Sequence, residues 1–217
     1  MPGTQPRRGG RPPGSAGIEL LTIARAEFLA NGFAGTTMDS IARTARISKS
    51  SLYREYASKD VLYAAVVTDW VDRGREAMRP HTEALVTAPD ALAELGRLAR
   101  TVQRAVLSPP VRQMRILVAA EASRFPDIAT FYVTRSWERN IENLAEAFAV
   151  LAERGTITTD APRTAAEQFT WLAVAAPLNR MTLDAGARPY TQSELNMIAD
   201  EAVATFVARY GSAESLS

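Results

Sequence analysis

Apolar residues recur at three- and four-residue spacing along nearly the whole chain, the period of an amphipathic helix. Ile18, Leu21, Ala24 and Phe28 form the first stripe, and Asn31-Gly32 ends it with residues that tolerate left-handed backbone. Ser58 or Lys59 opens a longer helix with Leu62, Ala65, Val66 and Trp70 on one face, ending near Pro80. A further helix covers residues 91–107 and is closed by Ser108-Pro109-Pro110, followed by another over residues 111–123. After Phe125-Pro126 a long helix carries Trp137, Ile141, Leu144, Phe148 and Leu151 and stops at Gly155. Residues 161–184 place Ala165, Phe169, Leu172 and Ala176 on one stripe, with a kink expected at Pro177. Thr191 caps a last helix bearing Leu195, Ile198, Ala202 and Phe206. The segment 156–159 is too short to seed a sheet and reads as a connector. The expected fold class is all-α.

The segment 36–62, TTMDSIARTARISKSSLYREYASKDVL, breaks this pattern into two short helices and a tight turn. Thr37 and Ser48 are placed to cap them through their hydroxyls. Ile41 and Ala42 face inward, Ala45 permits close approach, Ile47 plugs the turn, and Leu52 anchors the second helix to the first. That leaves Lys49, Ser50, Ser51, Tyr53 and Arg54 outward, all hydrogen-bond donors and none acidic. A helix-turn-helix inserts the N-terminal end of its second helix into the DNA major groove.

At these residues the chain resembles a family. TTMDSIARTA followed by ISKSSLYREYASKDVLYAAV, preceded by ARAEFLANGFAGTT, is similar to the DNA-binding domain of the TetR family of transcriptional regulators over residues 18–66. Arg46 stands where that family usually has glycine, so left-handed backbone is expected at a residue that adopts it at a cost. Glu55 stands where it usually has histidine. EASRFPDIATFY and the helix after it resemble the AefR-like C-terminal variety. The resemblance implies a three-helix DNA-binding domain, a fourth helix as link, and a larger helical ligand-binding and dimerisation domain, about nine helices in all. The expected layout is a disordered basic arm over 1–14, the helix-turn-helix over 15–58, the larger domain over 59–211 and a tail over 212–217.

Charge agrees with one end meeting a polyanion. Residues 1–59 hold nine Lys/Arg against four Asp/Glu, while the remainder holds sixteen against twenty. A basic third on a mildly acidic body suits double-stranded DNA. The arm, with Arg7, Arg8 and Arg11, is of a kind that can enter the minor groove, but a solvated tail without a role is the favoured reading. With no cysteine and one histidine, His81, there is no basis for a disulfide framework or a zinc site. Glu138, Glu142 and Glu146 share a face but lack the Glu-x-x-His pairs of carboxylate-bridged metal helices. There is no phosphate loop and no nucleophile elbow. Neither an enzyme nor a cofactor is expected. No apolar run approaches the ~20 residues of a membrane span, and a cytoplasmic location is expected.

The expected contacts follow. Lys49, Ser50, Ser51, Tyr53 and Arg54 read bases and phosphates; Thr37, Ser48 and Lys59 hold phosphates; Arg46 and Tyr56 flank them. A small hydrophobic effector, of unknown identity, is expected among Trp70, Met114, Phe131, Trp137, Asn140, Trp171, Asn179 and Met181, apolar walls with a few polar groups. The family implies a homodimer made by the last two long helices. The small residues Ala166 and Ala173, facing Leu195, Ile198, Ala202 and Phe206, are the expected interface. Two-fold symmetry matches a palindromic operator with half-sites about 34–36 Å apart. A repressor released by its effector is the leading reading. A regulator gated by a protein partner, and a helical small-molecule carrier, are the alternatives.

Overall fold

The computed structural model describes residues 13–74, 76–184 and 187–212. The expected basic arm lies outside these, apart from Pro13 and Gly14, and so does the expected tail beyond Ser212. The described chain is all-α. It forms two units, Met1–Trp70 and Val71–Ser217, so the first unit runs well past residue 58 into the linking helix.

In the first unit α1 (Pro13–Gly35) contains a break at Gly32, whose φ of 68° and ψ of 173° only glycine adopts readily. The buried stripe of α1 is Leu20, Ala24 and Phe28, while Ile18 is exposed, one helical step away from the expected register. α2 (Met38–Thr44) starts in a capping box: Ser40 N–H donates to Thr37 Oγ1 at 3.0 Å, and Thr37 N–H donates back to Ser40 Oγ at 3.3 Å. α3 (Lys49–Glu55) is capped by Ser48, which accepts from Ser51 N–H at 3.0 Å. Between them Arg46 sits at φ 56°, the left-handed turn residue that the sequence demanded of a non-glycine.

α4 (Lys59–Gly74) closes the unit. Its Tyr63 ring meets Phe28 and Phe33 edge-on at 5.7 and 5.3 Å, and those two rings stack at 5.9 Å. Thr36 is fully buried and donates its hydroxyl to the Gly32 carbonyl at 2.7 Å. That bond satisfies a carbonyl that the break in α1 would otherwise leave open.

In the second unit α4 ends at Gly74, not near Pro80. Pro80 instead occupies the first turn of a separate helix, α5 (Arg79–Thr87), where its missing N–H costs nothing. α6 (Ala91–Val106) and α7 (Pro109–Ala120) follow. The single long helix expected after Pro126 is three segments: α8 (Pro126–Tyr132), a π-helical stretch (Val133–Glu138) and α9 (Arg139–Glu153). α10 (Pro162–Leu183) and α11 (Gln192–Tyr210) complete the unit. The connector before α10 is pinned by one isolated antiparallel bridge, Ile157 to Gly211.

α10 packs against α9, α11 and α6, and α5 against α6 and α9. Phe148, Phe169 and Phe206 meet at this centre, with centroid separations of 4.9 to 5.8 Å. The buried stripe of α10 continues from Phe169 to Ala173, so Leu172 and Ala176, expected inside, are exposed. Pro177 does lie inside α10.

Candidate nucleic-acid interface and effector site

The outward face of α3 is the surface anticipated from sequence. Ser50, Tyr53 and Arg54 are exposed, with Tyr53 at 47%. Leu52 is fully buried beneath them and fixes the helix to the rest of the unit. The Ser48 hydroxyl is occupied by capping and contacts Ser50 Oγ at 2.9 Å and Ser51 Oγ at 2.8 Å. Lys49 pairs with Asp39 of α2. Both partners are more than half exposed, and such a pair is worth at most about 1 kcal/mol, so exchanging it for a phosphate costs little. Thr37 and Arg46 are exposed at the ends of the turn region. Tyr56 is half-buried, and its phenol is raised first by burial and then by Glu55 and Asp69.

Lys59 departs from expectation. Its Nζ donates to the carbonyl oxygens of Phe33 at 2.7 Å and Thr36 at 2.8 Å, and sits 4.3 Å over the Phe33 ring. The ammonium therefore ties the start of α4 to the α1–α2 junction and is spent inside the unit rather than offered to phosphate. Lysine at the first position of a helix gave no sign of this in sequence, because both acceptors are backbone carbonyls.

The expected effector residues divide. Trp137 of the π stretch and Trp171 of α10 are brought together, with centroids 4.8 Å apart and planes at 38°. Phe131 and Asn140 are half-buried on the flanking turns. Met114 is fully buried and packs as core. Met181 is half-buried, its carbonyl accepting from Arg112 Nη1 at 2.9 Å. Asn179 is exposed. Trp70 belongs to the first unit, where the Arg25 guanidinium lies 5.1 Å over its ring.

One residue that sequence reasoning missed joins the indoles, and a second lies near it. Arg115 of α7 stands with its guanidinium carbon 5.7 Å from the Trp137 centroid. The Tyr132 phenol is raised by burial, and the charge of Arg115 acts on it in the opposite direction. Trp137 follows Tyr132 by five positions, within the π-helical stretch that an α-period reading does not register. A cavity of about 640 Å³ opens elsewhere, lined by Ile157, Thr159, Thr164, Gln168, Arg209 and Tyr210. It holds none of the expected residues.

The expected dimer residues mostly face the protomer interior. Ala166 and Ala173 are fully buried, Ala202 and Phe206 nearly so, and all four belong to the central core. Leu195 and Ile198 are half-buried. The apolar stripes of α10 and α11 satisfy each other within one chain. The outer faces carry a different set, Leu172, Ala176, Asn179 and Leu183 on α10 and Met197, Glu201, Ala204 and Ala208 on α11, all exposed at four-three-four spacing.

Among the described residues no group of three or more His, Cys, Asp or Glu side chains could hold a metal ion, and no helix is long and apolar enough to cross a membrane. A small helical unit with a capped, buried-anchored and donor-rich α3, joined by α4 to a larger helical unit, defines a helix-turn-helix DNA-binding protein. The family model for bacterial regulatory proteins of the tetR family matches residues 20–66, and the model for the C-terminal domain of AefR-like transcriptional repressors matches residues 93–212. The chain belongs to the TetR family of transcriptional regulators. No curated protein matches it. Among solved structures, a protein of Mesorhizobium loti MAFF303099 assigned to the same family is 27% identical, with a TM-score of 0.86 over 93% of this chain and 100% of that one. The flavonoid-responsive regulator FrrA shares the fold at 23% identity and a TM-score of 0.69, covering 91% of this chain and 98% of its own. So does SmeT, the repressor of the Stenotrophomonas maltophilia multidrug efflux pump SmeDEF, at 15% identity and a TM-score of 0.60 over 91% of both chains.

Proposed function

We propose that the protein is a dimeric repressor that holds a palindromic operator and leaves it when a small, largely apolar effector enters the larger domain. The observation that carries the DNA-binding part is the exposed face of α3: Ser50, Tyr53 and Arg54 project from a helix whose start is capped and whose base is the fully buried Leu52. A rigid helix presenting donors without a single acid from residue 48 to 54 has the chemistry of a groove reader. Arg54 and Tyr53 contact bases or phosphates, and Lys49 exchanges Asp39 for phosphate on binding.

The dimer forms through the outer faces of α10 and α11, with Leu172, Leu183 and Met197 as its apolar centre. One helix-turn-helix touches few base pairs, and a two-fold pair doubles the contacts while fixing half-site spacing. Effector gating needs differential affinity for the two states of the dimer. α4 supplies the mechanical link, since Trp70 and Val71 are consecutive residues of one helix and Lys59 fastens its first turn to the α1–α2 junction. The similarity to FrrA and SmeT supports a small-molecule or efflux-related setting as a place to begin.

Fluorescence anisotropy of labelled DNA flanking the protein's own gene, against random duplex at two salt concentrations, tests this reading. Tight, sequence-selective and salt-dependent binding is expected. Equal weak binding to both duplexes, or none at low salt, overturns it in favour of a carrier.

A further inference from the structure

Three elements converge on Trp137. Arg115 from α7 covers one side of its ring, Trp171 from α10 leans on it, and a π-helical stretch carries it. Helical segments with an inserted residue of this kind are frequent at functional sites, because the wider turn moves side chains out of the regular packing rows. Here the Ser136 hydroxyl donates back to the Tyr132 carbonyl, which holds the widened turn in place.

Arg115 differs from Arg100, Arg112 and Arg139 of this unit, and from Arg180, which lies over the Tyr190 ring and donates to the Arg188 carbonyl oxygen at 3.4 Å. Arg100 and Arg139 pair with the carboxylates of Asp200 and Glu76, and Arg112 donates to the carbonyls of Leu107 and Met181. Among the described residues no carboxylate lies within ion-pair distance of Arg115. Its surroundings are an indole, and a phenol that is partly buried. A cation partly withdrawn from water without a counter-charge is unfavourable until an anion arrives. The adjoining surface is apolar and open: Trp171 is 39% exposed, and Arg115's neighbour Ile116 is 41% exposed. An open indole face beside an uncompensated guanidinium suits a flat ring bearing a negative charge. The ring stacks on the indoles, and the anion takes a charge-assisted bond from Arg115.

We propose that Arg115, Trp137 and Trp171 form a binding site for planar aromatic anions, ring systems carrying a carboxylate or an ionised phenol. The proposal rests on the effector-gated reading and narrows the class of effector. The Tyr132 hydroxyl is the neutral donor that would sit beside the same anion.

The test uses calorimetric titration of the full-length protein with two probes of equal shape, naphthoate and its neutral amide naphthamide. Wild type should bind naphthoate about tenfold or more tightly than naphthamide, the yield of one charge-assisted bond. Arg115→Met should abolish that preference while leaving the amide affinity unchanged, and Arg115→Lys should keep most of it. Trp171→Leu should weaken both probes together. Equal affinity for the two probes in wild type, a preference that survives Arg115→Met, or binding of neither overturns the site. Thermal melting of each variant separates loss of binding from loss of folding, and Arg115→Lys carries the test if Arg115→Met does not fold. Operator release in the anisotropy assay keeps the two readings apart. Release by neutral apolar compounds with naphthoate inert overturns the anion site and leaves effector gating standing. Naphthoate bound through Arg115 without operator release supports the site and counts against gating.

Discussion

The side-chain amide of Gln103 donates to the carbonyl oxygen of Ala173 at 2.9 Å, and Ala173 stands four residues before Pro177 inside α10. Pro177 has no N–H, so the helix cannot satisfy that carbonyl itself. Gln103 is only 2% exposed, a buried polar residue of α6 whose place in the core this one bond explains. The proline and the glutamine form a compensated pair across two helices.

Gln103→Leu should therefore destabilise the protein by about 1–3 kcal/mol, the cost of a buried acceptor left unsatisfied. Adding Pro177→Ala returns an amide donor to α10 and should recover a large part of the loss. Urea denaturation of both single variants and the double variant measures the coupling. An additive double variant would show that the two residues are independent.

Lys59 and Arg54 should separate by salt dependence. Lys59→Met removes the clamp on Phe33 and Thr36, and should lower both thermal stability and operator affinity while leaving the salt slope of binding unchanged. Arg54→Ala should lower affinity and reduce the slope by about one, the signature of a lost phosphate contact. Anisotropy titrations over a salt series read both quantities. A reduced slope for Lys59→Met would mean that its ammonium reaches DNA after all.

Leu172→Glu and Met197→Glu place charge on the outer faces of α10 and α11, and each should shift the protein toward monomer in sedimentation velocity, with a parallel loss of operator affinity. Ala166→Leu acts elsewhere. It overfills the protomer core and should cost about 1–3 kcal/mol of stability without changing the assembly of the folded fraction. If Ala166→Leu dissociated a folded dimer while Leu172→Glu did not, the interface would lie on the inner stripe instead.

Acid should loosen the start of α11. Glu194 accepts from the Thr191 backbone N–H at 2.7 Å and from its hydroxyl at 2.8 Å, and these bonds hold its carboxyl below the usual glutamate range. A lowered folded value means that the stabilisation is complete above the unfolded value and is lost as pH falls through the folded one. Hydrogen exchange of the first-turn amides of α11 should rise as pH is lowered through the acidic range, after correction for intrinsic rates. Glu194→Gln should flatten that dependence.

Much of this protein was legible in sequence because its signals are local. Capping by Thr37, Ser48 and Thr191 needs only the hydroxyl and the backbone beside it, and all three caps are present. The left-handed turn at Arg46 is likewise a property of four or five consecutive residues. The burial of Leu52 and the exposure of Tyr53 and Arg54 follow from helical period alone.

What failed depended on partners far along the chain. In sequence Lys59 looks free to contact phosphate, because its acceptors, two backbone carbonyls more than twenty residues away, carry no side-chain signature. The alanine stripe of α10 suits a dimer face in sequence because composition cannot say which surface covers it, and α9, α11 and α6 of the same chain do so first. A π-helical stretch breaks the helix expected after Pro126 between α8 and α9, which no α-period pattern predicts.

By itself, then, the sequence determined the all-α class and the helix-turn-helix, since periodicity, caps and turn chemistry act over one or two turns, and its motifs carried the resemblance to the family. Only the tertiary structure decided which cations are already engaged, which apolar stripe is left for a partner, and which arginine stands without a carboxylate beside the indoles. Those are outcomes of competition among all surfaces of the folded chain for the same burial and the same charges.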